Sequence, residues 1–215
     1  PVGSKGHKLC TTNKGLIREY ALAAVNYFSR SKGNTTFSLS PSDGRGWCEC
    51  NECRKLDEID ENGKVFITRR ILTFYNEVAR LVTAQFPDQY LCGYVYADYM
   101  RPPLDRSFSI HPNVKLVLAA NYHRKLLTPG ERLRWDELLH GWTTLHPLAC
   151  YHDFPSWFQG DYGQPMPPNK KILKYMFPIL KDNNVSGVYM YGIAAWGHGA
   201  AFNYIFTRLA WNAHQ

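Results

Sequence analysis

The stretch that decides the fold begins with TFSLS at residues 36–40 and ends with LCGYVY at residues 91–96. Both ends are short and apolar, as strands are, and apolar residues recur every three or four positions between residues 65 and 85. That spacing predicts an amphipathic helix, which ends before Pro87. A strand, a helix and a second strand in this order predict two parallel strands joined by a helical crossover.

The same alternation continues to the end of the sequence, which predicts an α/β protein with a parallel sheet. No Gly-x-Gly-x-x-Gly motif and no phosphate-binding loop follows a strand, and this weighs against nucleotide-binding folds. Polar or aromatic residues follow each strand instead, as they do where a (β/α)8 barrel builds its site. The further predicted strands lie at residues 114–119, 148–151 and 187–191, and further helices begin near residues 13, 128, 169 and 200.

The number of strands predicts an incomplete barrel. A (β/α)8 barrel of the TIM-barrel type needs eight strands and about 250 residues. Five strands in 215 residues therefore predict the C-terminal five βα units of a longer barrel. On this interpretation residues 1–215 are a single domain, and the N-terminal strands lie upstream of Pro1.

Composition bears on the class of partner. The chain has 25 Lys and Arg against 18 Asp and Glu, a formal net charge of +7, but these cations are scattered and do not form the stripe typical of a nucleic-acid-binding protein. No run of 18 apolar residues is present, so no membrane span is predicted. Fourteen Tyr and six Trp suit a packed core, and they also suit platforms on which sugar rings stack.

Three cysteines, Cys48, Cys50 and Cys53, lie within six residues. This spacing brings three thiols within reach of one tetrahedral metal ion, and Cys10 is a candidate fourth ligand. Thiols so close on one loop do not all pair with one another, which favours a structural zinc ion. Disulfides, for instance to Cys10, and reduced thiols remain open alternatives, since a secreted protein oxidises exposed thiols. In each case the cluster is expected to brace the loop that carries Asp43.

Four segments together resemble a known bacterial family, the domain-of-unknown-function family 4838. This is a glycoside-hydrolase-like barrel found beside carbohydrate-active domains, and the resemblance covers nearly the whole chain. The most specific segment combines Ser-Pro-Ser-Asp-Gly with Cys-x-Cys-x-x-Cys. The segments are SLSPSDGRGWCECNEC at residues 38–53, LCTTN at 9–13, YVYADY at 94–99 with Pro102 and Pro103, and GVYMYG at 187–192 through RLAWN at 208–212.

The resemblance implies a carbohydrate-processing barrel, similar to those of the hexosaminidase and α-glucuronidase type, and a secreted or periplasmic location. Such barrels place catalytic carboxylates at strand ends. The sequence departs from the hexosaminidase pattern, because Asp43 has no adjacent Glu and Glu49 lies inside the cysteine cluster. This departure weakens the case for a substrate-assisted mechanism.

Glycoside hydrolysis requires one carboxylic acid to protonate the leaving oxygen and a second carboxylate as nucleophile or base. Asp43 and Asp153 are the candidate pair, since each follows a strand, and His152 is a candidate proton relay beside Asp153. The simpler interpretation of Asp43 is a turn residue, because Pro-Ser-Asp-Gly is typical of a type I turn. For Asp153 the simpler interpretation is a cap or a salt bridge in a loop.

A larger set of polar and aromatic residues is expected to hold the sugar, although packing between strands and loops would also explain the tyrosines. The predicted function is that of a glycoside-hydrolase-like protein acting on a polysaccharide or oligosaccharide, with no cofactor required for catalysis. The rival hypotheses are a barrel that binds glycans without catalysis and a zinc-braced interaction module. The candidate substrate-binding residues are Trp47, Tyr96, Asp98, His123, Trp157, Tyr191 and Trp196.

Overall fold

The structure, a computed structural model, describes residues 8–30, 33, 35–120, 126, 128–153, 170–190 and 200–213. Helices and strands alternate along most of this length, as the sequence predicts. The elements are α1 Lys14–Arg30, β1 Thr36–Ser38, α2 Asn51–Arg54, β2 Glu58–Ile59, β3 Val65–Phe66, α3 Thr68–Thr83, β4 Tyr90–Tyr96, β5 Val114–Ala120, α4 Pro129–Thr143, β6 Leu148–Asp153, α5 Lys170–Asp182, β7 Val188–Met190 and α6 Ala200–Trp211.

Five strands form one sheet in the order β1-β4-β5-β6-β7. β1 and β4 pair in parallel, with Thr36 opposite Tyr90, and so do β6 and β7, with Tyr151 opposite Val188. The α/β class with a parallel sheet is thus confirmed. The two remaining strands, β2 and β3, form a short antiparallel hairpin between β1 and α3, and β3 occupies the first residues of the helix that was predicted from residue 65.

The prediction of a (β/α)8 TIM-type barrel, of which this chain would supply five βα units, is wrong. Within the described residues the sheet has five strands and runs from an edge at β1 to an edge at β7, without a pairing that closes it. The error has a physical reason. Alternating strands and helices specify parallel pairing, but closure depends on strand number, tilt and stagger, which no local sequence pattern encodes.

The chain divides into two compact units, Pro1–Leu116 and Val117–Gln215, with the division inside β5. In the first unit the apolar side of α1, which includes Ala24 and Phe28, packs near α3, and the Tyr20 ring meets Phe74 edge-on at 5.2 Å between centroids. Burial of one large apolar side chain contributes about 1.5–3 kcal/mol. Packing of α1 against α3 therefore contributes to the stability of the layer beneath β1 and β4.

Gly93 brings β4 close to α3. A Cβ atom at this position would overlap the ring of Tyr75, which is fully buried and whose hydroxyl donates to the Tyr94 carbonyl at 3.1 Å. Only glycine leaves room for the ring against the strand. The close approach fixes β4, and with it the residues that follow the strand.

In the second unit, Trp135 of α4 is fully buried and its Nε1 donates to the Tyr151 hydroxyl of β6 at 3.3 Å. The Phe177 ring of α5 meets Phe206 of α6 at 5.0 Å between centroids. These contacts pack α4 against β6 and α5 against α6. None of the helices in the described part of the chain is long and apolar enough to cross a membrane.

Candidate functional site

The candidate site lies where β1 and β4 end. Because the two strands are parallel neighbours, the loop after β1 and the short turn after β4, Ala97–Tyr99, leave the sheet at the same edge. The Leu39 amide donates to the Cys92 carbonyl at 2.8 Å, which continues the pairing into the loop. Ligands of α/β proteins bind at the carboxyl ends of parallel strands.

Trp47 connects the loop to the turn. Its indole Nε1 donates to Asp98 Oδ2 at 3.0 Å, and its ring meets Tyr99 edge-on at 5.7 Å between centroids. The Lys8 Nζ atom lies 4.6 Å from the centre of the Trp47 ring, and the Lys8 amide donates to the Gly46 carbonyl at 2.8 Å. Trp47, a predicted sugar-binding residue, is half-buried. These contacts fix the position of its ring and leave part of the ring accessible.

Asp43 and Asp98 are exposed carboxylates. Their negative charges affect the pKa values of neighbouring side chains. Partial burial lowers the pKa of Lys8, although both carboxylates favour its charged form. Burial, and then the charges of Asp43 and Asp98, raise the pKa of Tyr99 well above its usual value. The pKa of Tyr96 is also raised, first by burial and then by Asp43. The two carboxylates therefore lie near enough to Lys8 and Tyr99 to influence the charge state of both side chains.

The four cysteines of the predicted metal site come together. The Sγ atoms of Cys10, Cys48, Cys50 and Cys53 all lie within 4.8 Å of one another. Cys10 Sγ is 3.7 Å from both Cys50 Sγ and Cys53 Sγ. A disulfide requires about 2.05 Å, and none of the chain's cysteines forms one in this structure. The prediction that Cys10 joins the Cys-x-Cys-x-x-Cys motif is thus confirmed as a four-cysteine cluster.

The backbone around the cluster is arranged to stabilise thiolates. The Cys53 amide donates to the Cys50 sulfur, and this bond first of all lowers the pKa of Cys50 to about 6. The Thr12 side chain, and to a lesser degree its amide, lowers the pKa of Cys10. The Thr12 hydroxyl oxygen lies 3.4 Å from Cys10 Sγ and 3.3 Å from Cys53 Sγ.

The pKa of Cys48 is raised, in contrast to those of Cys10 and Cys50. Its thiolate accepts a hydrogen bond from the Cys50 amide, yet burial and the neighbouring thiols Cys50 and Cys10 raise the pKa of Cys48 to about 12. Negative charges this close repel one another, so four neighbouring thiols do not all ionise without a cation among them. The sulfur arrangement is therefore compatible with a bound cation.

Arg70 of α3 binds the cysteine loop through its buried guanidinium group. Its side chain is only 3% exposed, and it donates to the Cys48 carbonyl at 2.8 Å and to Asp57 Oδ2 at 2.6 Å. The two partners lie before and after the short helix α2, so a single guanidinium clamps both ends of that segment. A cavity of about 710 Å³ opens beside it, and Trp47, Arg70 and Asp98 are among its lining residues.

Sequence reasoning found part of this site. It named Asp43, Trp47, Tyr96, Asp98 and the four cysteines, and the structure brings all of them to the region around the carboxyl ends of β1 and β4. It missed Lys8 and Arg70. A charged residue on the apolar side of α3 was the available signal for Arg70, whereas nothing near Lys8 in the sequence points to Trp47.

The other predicted site residues belong to the second unit or fall beyond what the structure describes. His152 and Asp153 lie at the carboxyl end of β6, paired with Tyr189 and Met190 of β7. Four predicted sugar-binding residues lie outside the described residues: His123, Trp157, Tyr191 and Trp196.

Fold and site together define an α/β protein with a four-cysteine cluster beside a carboxylate group at one edge of its parallel sheet. The family model of a domain of unknown function, DUF4838, matches residues 3–215, and the chain therefore belongs to this family. The match confirms the family resemblance of the sequence motifs. No curated protein and no solved structure matches the chain.

Proposed function

We propose that the protein is a glycoside-hydrolase-like enzyme that acts on a polysaccharide or oligosaccharide. The observation that carries this proposal is the polar group at the carboxyl ends of β1 and β4, where Asp98 accepts a hydrogen bond from the Trp47 indole at 3.0 Å and Lys8 Nζ lies 4.6 Å from the centre of the Trp47 ring. Exposed carboxylates accept hydrogen bonds from sugar hydroxyls, and an adjacent ammonium donates them. The cavity that opens beside Trp47 and Asp98 offers space for a sugar chain.

The proposed chemistry needs two carboxyl groups, one as the acid and one as the nucleophile or base. Asp43 is the first candidate, since it is exposed on the loop that follows β1. Asp153, with His152 as proton relay, is the second candidate at the end of β6. In this proposal Trp47, Tyr96 and Asp98 bind the substrate, and hydrolysis itself requires no cofactor.

Hydrolysis by the full chain tests the proposal. The assay measures release of reducing sugar from a panel of bacterial and plant polysaccharides by the wild type, by Asp43→Asn and by Asp88→Asn. We expect Asp43→Asn to lose at least about a hundredfold in rate, the usual contribution of an acid or base. Asp88 is exposed in the turn before β4, at the opposite end of that strand, and its replacement should leave the rate unchanged.

The alternatives predict other outcomes. Full hydrolysis by Asp43→Asn would refute the role of Asp43. Glycan binding without hydrolysis by the wild type would favour a protein that binds carbohydrate and does not cleave it. A protein that binds zinc but neither binds nor cleaves glycans would favour the interaction module. A secreted or periplasmic location stays a prediction, which fractionation of the producing cell tests.

We also propose that the four-cysteine cluster holds a structural zinc ion. Zn–S bonds of about 2.3 Å in a tetrahedron separate neighbouring sulfurs by roughly 3.8 Å, and Cys10 Sγ is 3.7 Å from both Cys50 Sγ and Cys53 Sγ. Four thiolates fill the coordination shell of zinc, so the ion would brace the loop and leave no position open for a substrate. Amide donors to the sulfurs, such as those of Thr12 and Cys53, would support such a site.

Metal analysis tests the zinc proposal directly. The chain, purified under reducing conditions, should contain one zinc ion, as measured by elemental mass spectrometry. Cys50→Ser, which replaces the exposed member of the cluster, should lose it, whereas Cys150→Ser, in β6 of the second unit, should retain it. A wild-type chain without zinc would refute the proposal.

A further inference from the structure

We infer that metal binding at the four-cysteine cluster assembles the group formed by Lys8, Trp47 and Asp98, so that this part of the site exists only in the metal-loaded chain. The inference rests on the proposed zinc site and deepens the proposed carbohydrate function, because it names what controls the site. It concerns local structure and can be tested without a sugar.

Two residues of the group are close in sequence to cysteines of the cluster. Lys8 lies two residues before the ligand Cys10, and Trp47 directly precedes the ligand Cys48. An ion bound to both cysteines would therefore join two segments that are distant in sequence, at the point where the Lys8 amide already donates to the Gly46 carbonyl at 2.8 Å. Fixing Cys10 and Cys48 to one ion places the Lys8 ammonium and the Trp47 ring next to each other.

Few other contacts hold the part of the loop that precedes Cys48 in the described structure. Residues 42–46 are exposed, and Gly44 and Gly46 adopt φ values of 95° and 93°, a backbone region that glycine enters at little cost. Within the described residues, and apart from the cluster, Trp47 makes one indole hydrogen bond, one ring contact and one contact with an ammonium. Contacts of this kind at a half-exposed site are individually weak.

Arg70 limits how far the change can extend. Because it binds the Cys48 carbonyl and Asp57 from a buried position on α3, the loop stays attached at Cys48 even without a metal. Loss of the ion should therefore release Lys8, Cys10 and the Trp47 side chain, and leave α3 and the sheet in place. The expected change is local.

The test follows the indole N–H signals of the six tryptophans by nuclear magnetic resonance of the full, ¹⁵N-labelled chain. Trp47→Phe identifies the Trp47 signal. Removal of zinc with a chelator should move that signal to the position of a solvent-exposed indole, and one equivalent of zinc should restore it. The Trp135 signal, from the buried indole that donates to Tyr151 in the second unit, should not move.

Three variants make the test specific. Cys50→Ser should give the metal-free Trp47 signal even with zinc present, and Cys150→Ser should give the wild-type signal. Asp98→Ala should move the Trp47 signal while one zinc ion stays bound. This result would show that the signal reports the indole hydrogen bond itself and that the bond is not needed for zinc binding.

Two results would overturn the inference. One is a Trp47 signal that stays unchanged when bound zinc is removed, or that has its wild-type position in a chain that binds no zinc. The other is a shift of the Trp135 signal together with that of Trp47, because the metal would then stabilise much more than this group. Absence of glycan hydrolysis together with the expected shifts would refute the proposed hydrolase activity and leave this inference standing.

Discussion

The loop between β1 and α3 and the layer formed by α1, α3 and β4 belong to one unit, but different interactions stabilise them. In the layer, Val78, Val82 and Leu91 have no exposed surface, and burial of apolar surface supplies the free energy. In the loop, residues 42–46 are exposed, and the segment beside them is held by the Trp47 indole hydrogen bond, by Arg70 and by the four cysteines. The loop therefore depends on a few specific partners, whereas the layer depends on the burial of many apolar side chains.

Because of this difference, the loop can change its conformation while the layer stays folded. A region that has few buried apolar contacts opens at a lower free energy than the core beneath it. A metal ion, a reductant or a sugar can thus alter the loop without unfolding the layer. Substitutions in the two regions should differ in the same way, and the following predictions are ordered by the size of the expected effect.

The largest effect should come from Arg70, the residue that connects the two regions. Arg70→Met leaves the carboxylate of Asp57, whose side chain is only 15% exposed, without its ion-pair partner. Breaking a buried pair in this way lowers the free energy of unfolding by about 3–5 kcal/mol. Denaturant unfolding of the wild type and the variant measures the difference.

Arg80→Met provides the matched control on the same helix. Arg80 and Glu77 form an exposed pair, with side chains 64% and 45% accessible, and such pairs contribute at most about 1 kcal/mol. In a second variant, Arg70→Met with Asp57→Leu, removal of both charges should recover part of the loss. Equal effects of Arg70→Met and Arg80→Met would contradict the clamp.

A smaller effect is expected inside the layer, at Gly93. Gly93→Ala forces a methyl group into the Tyr75 ring, and overpacking of a core costs about 1–3 kcal/mol. Gly33→Ala is the control, because no atom lies within 4 Å of the added Cβ there. Thermal or denaturant unfolding distinguishes them. Equal stability of the two variants would show that the Tyr75 ring has room to move.

The layer was predictable from sequence because its signal is local and repeated. The apolar spacing predicted a helix within residues 65–85, and α3 spans Thr68–Thr83. The strand predicted at residues 91–96 is β4, Tyr90–Tyr96. Each turn of such a helix repeats the apolar spacing, so one residue that departs from the pattern does not change the prediction.

The loop was predictable only where residue chemistry is distinctive. Four cysteines have few ways to share one site, and this restriction brought Cys10 to the motif despite its distance in sequence. The β2–β3 hairpin was missed because two-residue strands are too short to show alternation. Lys8 and Arg70 were missed because their partners, Trp47 and Cys48, are determined by tertiary packing.

Asp60, in the β2–β3 hairpin, should show the smallest effect, which is present at neutral pH and is lost at acid pH. Its Oδ1 accepts hydrogen bonds from the Lys64 amide at 2.9 Å and the Asn62 amide at 3.0 Å, and its Oδ2 pairs with Arg101. The Lys64 bond first of all, and then Asn62 and Arg101, lower the pKa of Asp60.

Because the pKa of Asp60 is lower in the folded chain, its contribution to stability is present above the unfolded-state value of about 3.9 and is lost as the pH falls through the folded value. We expect the free energy of unfolding of the wild type to fall more steeply below about pH 4 than that of Asp60→Asn. Asp88→Asn, which removes an exposed carboxylate, should follow the wild type. Urea unfolding between about pH 2 and 7 provides the comparison. Parallel curves for the wild type and Asp60→Asn would mean that the carboxylate of Asp60 does not hold the hairpin. The order of this part of the loop would then depend on the backbone of the turn alone.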